Sequence, residues 1–172
     1  MASFEAGSSD FVVIAAHIRW GSRVSDRTPA LRALGDWIGG RAAHPFATDS
    51  DFIVMGDFNI PSRASSAYTA LVRDDTGPQL PGGLLGVRGT NLSRKNTYDQ
   101  ILHNATDPTR FEIGGGGVLD FYHNDWKALY PDDSHSPTSR NKFTYELSDH
   151  LPLWLQINTH IVDPHLQTLA RR

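Results

Sequence analysis

An acidic and an amide side chain stand close together in the motif Gly56-Asp57-Phe58-Asn59, directly after an apolar run. Residues two apart on a strand face the same side, so Asp57 and Asn59 can act on one ligand. A carboxylate in this position can hold or deprotonate a water molecule, and an amide can donate to a phosphoryl oxygen. The same residues are also common in a plain Asx turn, which stays an alternative for this motif alone.

A second polar motif, Ser148-Asp149-His150, precedes the last apolar segment. Asp149 offers a hard oxygen ligand for a divalent cation, and His150 offers an imidazolium for a phosphate. Neighbours on a regular strand face opposite ways, so both can serve one site only at the entrance of the strand, where the backbone can turn. A surface turn before a strand is the alternative.

Asp99 lies in the alternating segment Thr97-Tyr98-Asp99-Gln100-Ile101, where an unpaired buried carboxylate would be costly. His150 is its predicted partner. A carboxylate that accepts from one ring nitrogen favours the charged imidazole and leaves the other N–H for a phosphate. The alternative is a carboxylate on an edge strand that faces water.

His17 ends an apolar run and is followed closely by Arg19 and Trp20. The arginine supplies a cation for a phosphate, and the indole supplies a flat surface for a base or a sugar. A histidine satisfied within the core is the alternative for His17. The remaining histidines lack the spacing of a metal triad and are predicted to face solvent or to be structural.

Two apolar segments, at 9–20 and 50–61, predict buried strands that would place these residues. Between them, Arg27 to Ala43 has the apolar spacing of a helix. Strand, helix and strand at this length form a βαβ crossover, so the two strands are predicted to be parallel. Ligands bind at the carboxyl edge of open α/β sheets, and this edge would carry His17 and Asp57.

The other predicted elements are shorter. They are a helix over Ser65 to Val72, a loop over Thr76 to Gly89, a strand over Thr97 to His103, strands at Phe111 to Ile113 and Val118 to Tyr122 around a hinge at Gly114 to Gly117, a helical turn at Trp126 to Tyr130, a polar loop over 131–142 and a last strand from about Leu151 to Ile161.

The composition indicates one globular domain of 172 residues, 39% of them hydrophobic and 20% charged. The absence of cysteine excludes disulfides, thiol catalysis and thiolate zinc sites. A sequence pI near 6.2 argues against a broadly basic surface, so any phosphate site must be local. The sequence predicts a flexible leader at 1–9, a domain at 10–162 and a tail at 163–172.

No membrane insertion is expected, because the apolar runs are far shorter than the roughly 20 residues of a membrane helix. The first ten residues lack the basic and then apolar order of a signal peptide. A cytoplasmic location is therefore favoured over a secreted one.

The order of these motifs resembles the endonuclease/exonuclease/phosphatase family, which includes pancreatic deoxyribonuclease and the abasic-site endonucleases. A histidine in a strand, then GDFN, YDQIL, and SDH before a final strand carry the resemblance, over about residues 10 to 160. The resemblance implies an α/β fold of the α+β sandwich type. In this four-layer α/β/β/α sandwich, two sheets pack face to face and helices lie on the outer faces.

The resemblance also implies a reaction, the metal-dependent hydrolysis of a phosphodiester or phosphomonoester, with Mg²⁺ or Mn²⁺ as the cation. Its residues would be Asp57 to orient or deprotonate water, Asn59 to contact the phosphate, Asp149 with Asp57 at the metal, His150 to stabilise the pentacovalent transition state, Asp99 to pair with His150, and His17 as a second phosphate-side histidine or acid.

The chain departs from the family in its first half. An asparagine after the first strand and a metal-binding glutamate are not visible, and Glu5 stands in the Gly/Ser-containing leader. The chain is therefore expected to be the C-terminal part of the fold. A second chain, or the missing N-terminal half, would then cover the inner face of its sheet.

Nucleic acid is the first hypothesis for the substrate. Inositol-phosphate phosphatases of the superfamily usually have Cys-Asp-Arg where this chain has Tyr98-Asp99-Gln100, which disfavours a phosphoinositide. A phosphomonoesterase of the same superfamily is one alternative. A catalytically incomplete binding or assembly module is another.

Overall fold

A computed structural model describes residues 1–7, 9–44, 51–73, 77–104, 112–125, 128 and 137–159. These residues form a mixed α/β fold. The strands are β1 (Ala2–Ala6), β2 (Ser9–His17), β3 (Phe52–Asp57), β4 (Asp99–His103), β5 (Glu112–Val118) and β6 (Leu153–Asn158); the helices are α1 (Thr28–Ala42), α2 (Ser66–Val72), α3 (Phe121–Asn124) and α4 (Pro137–Glu146), with 3₁₀ turns at Val24–Asp26 and Gly82–Leu84. In the described part of the chain, no helix has the length and apolarity to cross a membrane.

The main sheet has four strands in the order β1-β2-β3-β4. Strands β2 and β3 are parallel, and α1 lies between them in sequence, which confirms the predicted βαβ crossover. The other two pairings in this sheet are antiparallel. Strands β5 and β6 form a separate antiparallel two-stranded sheet.

Helices α1 and α2 cover one face of the main sheet. Successive side chains of a strand point to opposite faces, and on this side the strand residues are apolar. The helices and the sheet enclose a cluster of buried apolar residues, which includes Val12, Ile14, Val54 and Leu102 from the strands and Leu31, Ile38 and Leu71 from the helices. Each such side chain stabilises the fold by about 1.5–3 kcal/mol relative to full exposure.

The two-stranded sheet packs against the opposite face. Ile53 and Ile101 are buried there with Leu84, and Leu153, Leu155 and Ile157 of β6 pack against them. The expectation that the inner face of the main sheet would need a second chain to cover it is therefore wrong for the part around Ile53 and Ile101, which are 5% and 6% exposed. Phe4 and Met55 on the same face remain 50% and 40% exposed.

The predicted flexible leader is wrong, because Ala2–Ala6 is a strand that pairs antiparallel with β2. Gly7, with a φ of 64°, allows the tight turn between them. Glu5 lies opposite Asp10, at the end of β2 farthest from His17. This register separates Glu5 from the other predicted site residues.

The predicted hinge at Gly114 to Gly117 is also wrong, because these glycines form the middle of β5. Their missing side chains let other groups approach closely. A Cβ on Gly116 would lie 2.6 Å from Leu84 Cδ2, and one on Gly83 would lie 2.7 Å from the Gly115 carbonyl carbon. Tyr122, predicted as a strand residue, lies in α3.

The predicted polar loop over 131–142 is wrong from Pro137 onward, where α4 begins. Phe143 of this helix is buried and packs with Leu92, Tyr122 and Leu151 in a third cluster, which we call the α4 cluster. One buried aromatic residue thus anchors an otherwise polar helix. The last strand ends at Asn158, and residues 131–136, most of the predicted turn at 126–130, and 160–172 lie outside the described residues.

Replacing Gly56 with alanine is expected to destabilise the fold by about 3 kcal/mol or more. Gly56 has a φ of 142°, and a Cβ there would lie 1.9 Å from the Ala16 carbonyl oxygen. Urea unfolding of both proteins measures the difference. Gly40→Ala is the control, because a Cβ at Gly40 in α1 meets nothing within 4 Å and alanine favours the helix. Equal stability of the two variants would contradict this account of Gly56.

Candidate active site

Three polar residues form a row across three neighbouring strands. His17 lies opposite Asp57 in the parallel pair β2–β3, and Asp57 lies opposite Asp99 in the antiparallel pair β3–β4. Residues in register on adjacent strands share one face of a sheet, so the row lies on the same side as Ile53 and Ile101. The row stands at the carboxyl end of β2 and β3, the edge that the sequence predicted.

Asp57 is held in place by its neighbours. Its Oδ1 accepts a hydrogen bond of 2.8 Å from the Asn59 backbone N–H. Its Oδ2 lies 3.7 Å from His17 Nε2, and the two side chains are 24% and 75% exposed. The carboxylate is therefore fixed on one oxygen and reachable by a ligand at its other side.

Asn59 is placed differently from the prediction. Its side chain is buried, and its Nδ2 donates to the Ile18 carbonyl oxygen at 2.6 Å. A φ of 55° turns the backbone at this residue so that its N–H reaches Asp57. The predicted amide contact with phosphate is thus corrected to a positioning contact, because the side chain is buried and its amide already binds the backbone at Ile18, just after β2.

The structure brings His150 to the row from a distant part of the chain. His150 Nδ1 lies 2.8 Å from Asp99 Oδ2, the predicted contact. The backbone around it is docked on a neighbouring segment: the Leu151 N–H donates to the Thr90 carbonyl at 2.6 Å, and the Leu92 N–H donates to the Asp149 carbonyl at 3.1 Å. Asp149 and His150 thus precede β6, as the sequence predicted.

The charge state of His150 is set by Asp99. The hydrogen bond to Asp99 raises the pKa of His150 above its ordinary value of 6.5 against the opposing effect of burial, and the negative charges of Asp99, Asp57 and Asp149 add to the rise. The imidazolium is therefore more populated at neutral pH than in a free histidine.

Asp99→Asn is expected to lower the pKa of His150, because it removes the charge that favours the protonated ring. An NMR titration of the His150 ring measures it, with the exposed Asp125→Asn as the control. The Asp99–His150 pair also stabilises the folded state, and the direction in which this stabilisation changes with pH follows from the pKa of His150. Since the folded-state pKa is raised, the contribution is complete below about pH 6.5 and is lost as the pH rises through the folded-state value. An unchanged titration in Asp99→Asn would contradict the coupling.

Aromatic rings extend the site toward β2. The Tyr98 ring stacks on His150 with centroids 5.8 Å apart, and the Trp20 ring meets Tyr98 edge-on at 5.3 Å. The Arg27 guanidinium lies 4.6 Å from the Trp20 ring centroid. Of the predicted substrate-binding residues, Arg19 is exposed and Trp20 is 52% exposed, so both are accessible beside the row.

Sequence reasoning missed Tyr98 and Arg27. The position of Tyr98 beside Asp99 was a signal, but strand alternation predicts that neighbours face opposite sides. In the structure Tyr98 lies before β4 begins, where that rule does not hold. Nothing in the sequence indicated a role for Arg27, because the pattern predicted it only as the first residue of a surface helix.

The acidic groups of the site suit a divalent cation. Asp57, Asp99 and His150 each offer one ligand atom, and these atoms lie within 4.8 Å of one another. The raised pKa of His150 favours the protonated ring, which does not ligate, so the two carboxylates are the donors that best fit a hard cation. Asp149, predicted as a ligand with Asp57, is exposed and is not a member of this group.

No family model, curated protein or solved structure matches the chain.

Proposed function

We propose that this chain hydrolyses phosphate esters with the help of Mg²⁺ or Mn²⁺, and that its substrates are phosphodiesters of nucleic acid. The observation that carries the proposal is the arrangement of Asp57 in register with Asp99, with His150 bound to Asp99 at 2.8 Å. This arrangement combines a fixed carboxylate, an imidazole whose charged form is favoured by Asp99, and oxygen donors for a cation at one sheet edge.

Asp57 is the group that we assign to the attacking water. Its Oδ1 is occupied by the Asn59 N–H, which leaves Oδ2 to orient the water or to accept its proton. A carboxylate held in this way contributes about 10²–10⁴-fold when it acts as a general base. Asn59 is a positioning residue in this mechanism.

His150 is the group that we assign to the phosphoryl oxygen. Asp99 binds Nδ1, so Nε2 carries the N–H that can donate to the charge developing in the pentacovalent transition state. His17, opposite Asp57 and largely exposed, is proposed as the second phosphate-side histidine or acid. Arg19 and Trp20 would contact the ester groups.

Asp57 and Asp99 are the residues that would hold the cation, with the exposed Asp149 as a further donor. A bound Mg²⁺ or Mn²⁺ would neutralise charge on the phosphoryl oxygens.

The same proposal includes the endonuclease/exonuclease/phosphatase-type sandwich. The packing of β6 on the main sheet and of α1 and α2 on its other face supports it. A second chain over the exposed Phe4 and Met55 is part of this proposal, because these apolar side chains continue the face that β6 covers.

The test is turnover of bis(p-nitrophenyl) phosphate and of a DNA oligonucleotide, each with Mg²⁺, Mn²⁺ or EDTA. We expect cleavage that requires the cation and is slowed about a hundredfold or more by Asp57→Asn, and slower turnover of p-nitrophenyl phosphate, a monoester. Equal rates with EDTA and Mg²⁺ would contradict the mechanism.

A binding or assembly module is the second candidate. The observation that favours it is the absence of a glutamate from the metal-capable group of the described residues. DNA binding without cleavage in either metal would support this function over the enzyme.

A further inference from the structure

A cavity of about 330 Å³ lies beside the row, between the end of β2 and the start of α1. Its lining residues are Ile18, Arg19, Gly21, Ser22, Asp26, Arg27 and Ala30. Ile18 directly follows His17, and its carbonyl accepts from the Asn59 amide. The cavity therefore adjoins the proposed catalytic residues.

Arg27 is the unusual member of this lining. Arg27 is 4% exposed, and its guanidinium makes one hydrogen bond to a described residue, from Nη1 to the Asn59 carbonyl oxygen at 2.6 Å. Its Nε is buried with no hydrogen-bond partner among the described residues. A buried guanidinium without a carboxylate is costly, and stacking on Trp20 offsets only part of that cost.

The other charges of the cavity leave it positive. Asp26 already accepts from the backbone N–H groups of Ser22 and Arg23 and lies 3.4 Å from the Arg23 guanidinium. Arg19 is exposed at the same cavity. An anion placed here would meet the positive charges of Arg19 and Arg27, which both line the cavity, while the charge of Asp26 is largely compensated.

We infer that this cavity, the Arg27 cavity, binds a phosphate group next to the one that is hydrolysed. This inference rests on the proposed function and narrows its substrate. The chain would favour an ester with a second phosphate adjacent to the scissile one, as in an oligonucleotide, over an ester with a single phosphate. A guanidinium suits this role because its fork of donors matches phosphate oxygens.

Binding is tested with inorganic phosphate and metal-free protein, followed by ¹⁵N–¹H NMR. We expect saturable shifts that include the residues around Gly21 to Ala30. Ala30→Glu should weaken binding at least about tenfold, because it places a carboxylate in the cavity without removing Arg27. Ala33→Glu, on an exposed position of the same helix, is the matched control and should bind phosphate as the unaltered chain does.

Arg27→Met and Arg27→Lys provide a second comparison, in which we expect lysine to retain more phosphate binding than methionine. Absence of saturable shifts, or equal binding by Ala30→Glu and Ala33→Glu, would overturn the inference. Arg32 lines a separate cleft between α1 and α2. Loss of phosphate binding in Arg32→Met would therefore also overturn the inference.

Turnover then tests the substrate preference. Ala30→Glu should lower kcat/KM for a dinucleotide with a terminal phosphate at least about tenfold more than for bis(p-nitrophenyl) phosphate. An equal effect on both substrates would contradict a second phosphate site. If neither substrate is cleaved, the proposed function fails, whereas the phosphate titration still decides whether the Arg27 cavity binds an anion.

Discussion

Asp57→Asn is expected to lower kcat about a hundredfold or more while the fold remains intact. The amide keeps an oxygen that can accept from the Asn59 N–H, so the loop after β3 keeps its geometry. It lacks the charge needed to hold a cation or to accept a proton from water. Steady-state kinetics with Mg²⁺ in excess measures the loss, and circular dichroism verifies the fold.

Asp125→Asn is the matched control for this prediction. Asp125 is an exposed aspartate outside the row, so its substitution should leave kcat unchanged. A rate for Asp57→Asn within a few-fold of the Asp125→Asn rate would remove Asp57 from the mechanism.

His150→Ala is expected to lower kcat by about 10²–10³-fold, the usual effect of losing one donor to a transition-state oxyanion. The chain offers a close control in His123, whose Nδ1 also lies 2.8 Å from an aspartate, Asp120. Both variants lose an Asp–His pair, but only His150 lies at the row. Similar kcat values for His150→Ala and His123→Ala would contradict the assigned role.

The role of His150 also predicts the direction in which the rate changes with pH. The protonated ring is the active form, so the rate should fall as the pH rises through the raised pKa of His150. In Asp99→Asn the descending limb should move to lower pH, because the pKa of His150 is then lower. A descending limb at the same pH in both proteins would show that another group sets it.

The sequence was most informative where apolar spacing and length agreed. Segments 9–20 and 50–61 with a helix between them admit one simple connection, and the structure has it. Strand β1 was missed because Ala2–Ala6 is short and has Phe4 as its single large apolar residue, and its pairing depends on the turn at Gly7. Helix α4 was missed because Phe143 alone gives no periodic pattern.

Within the site, the contact between Asp99 and His150 was predictable because a carboxylate in an alternating strand needs a partner. The role of Asn59 was not predictable, since residue type does not report a left-handed φ of 55° or a hydrogen bond to the Ile18 carbonyl. The same limit holds for Arg27, whose burial depends on how the β2–α1 loop folds back. The local sequence pattern identified the residues of the site, whereas tertiary packing determines which of their atoms form hydrogen bonds and with which partners.

The row and His150, which together form the site, are held by different parts of the molecule. The row belongs to the main sheet, whereas Leu151, next to His150, belongs to the α4 cluster with Phe143, Tyr122 and Leu92. Small clusters of this kind open at lower free energy than the central strands of a sheet. Heating should therefore separate His150 from Asp99 before the main sheet melts, and a repacked α4 cluster would keep the two residues in contact to a higher temperature without any change to the row.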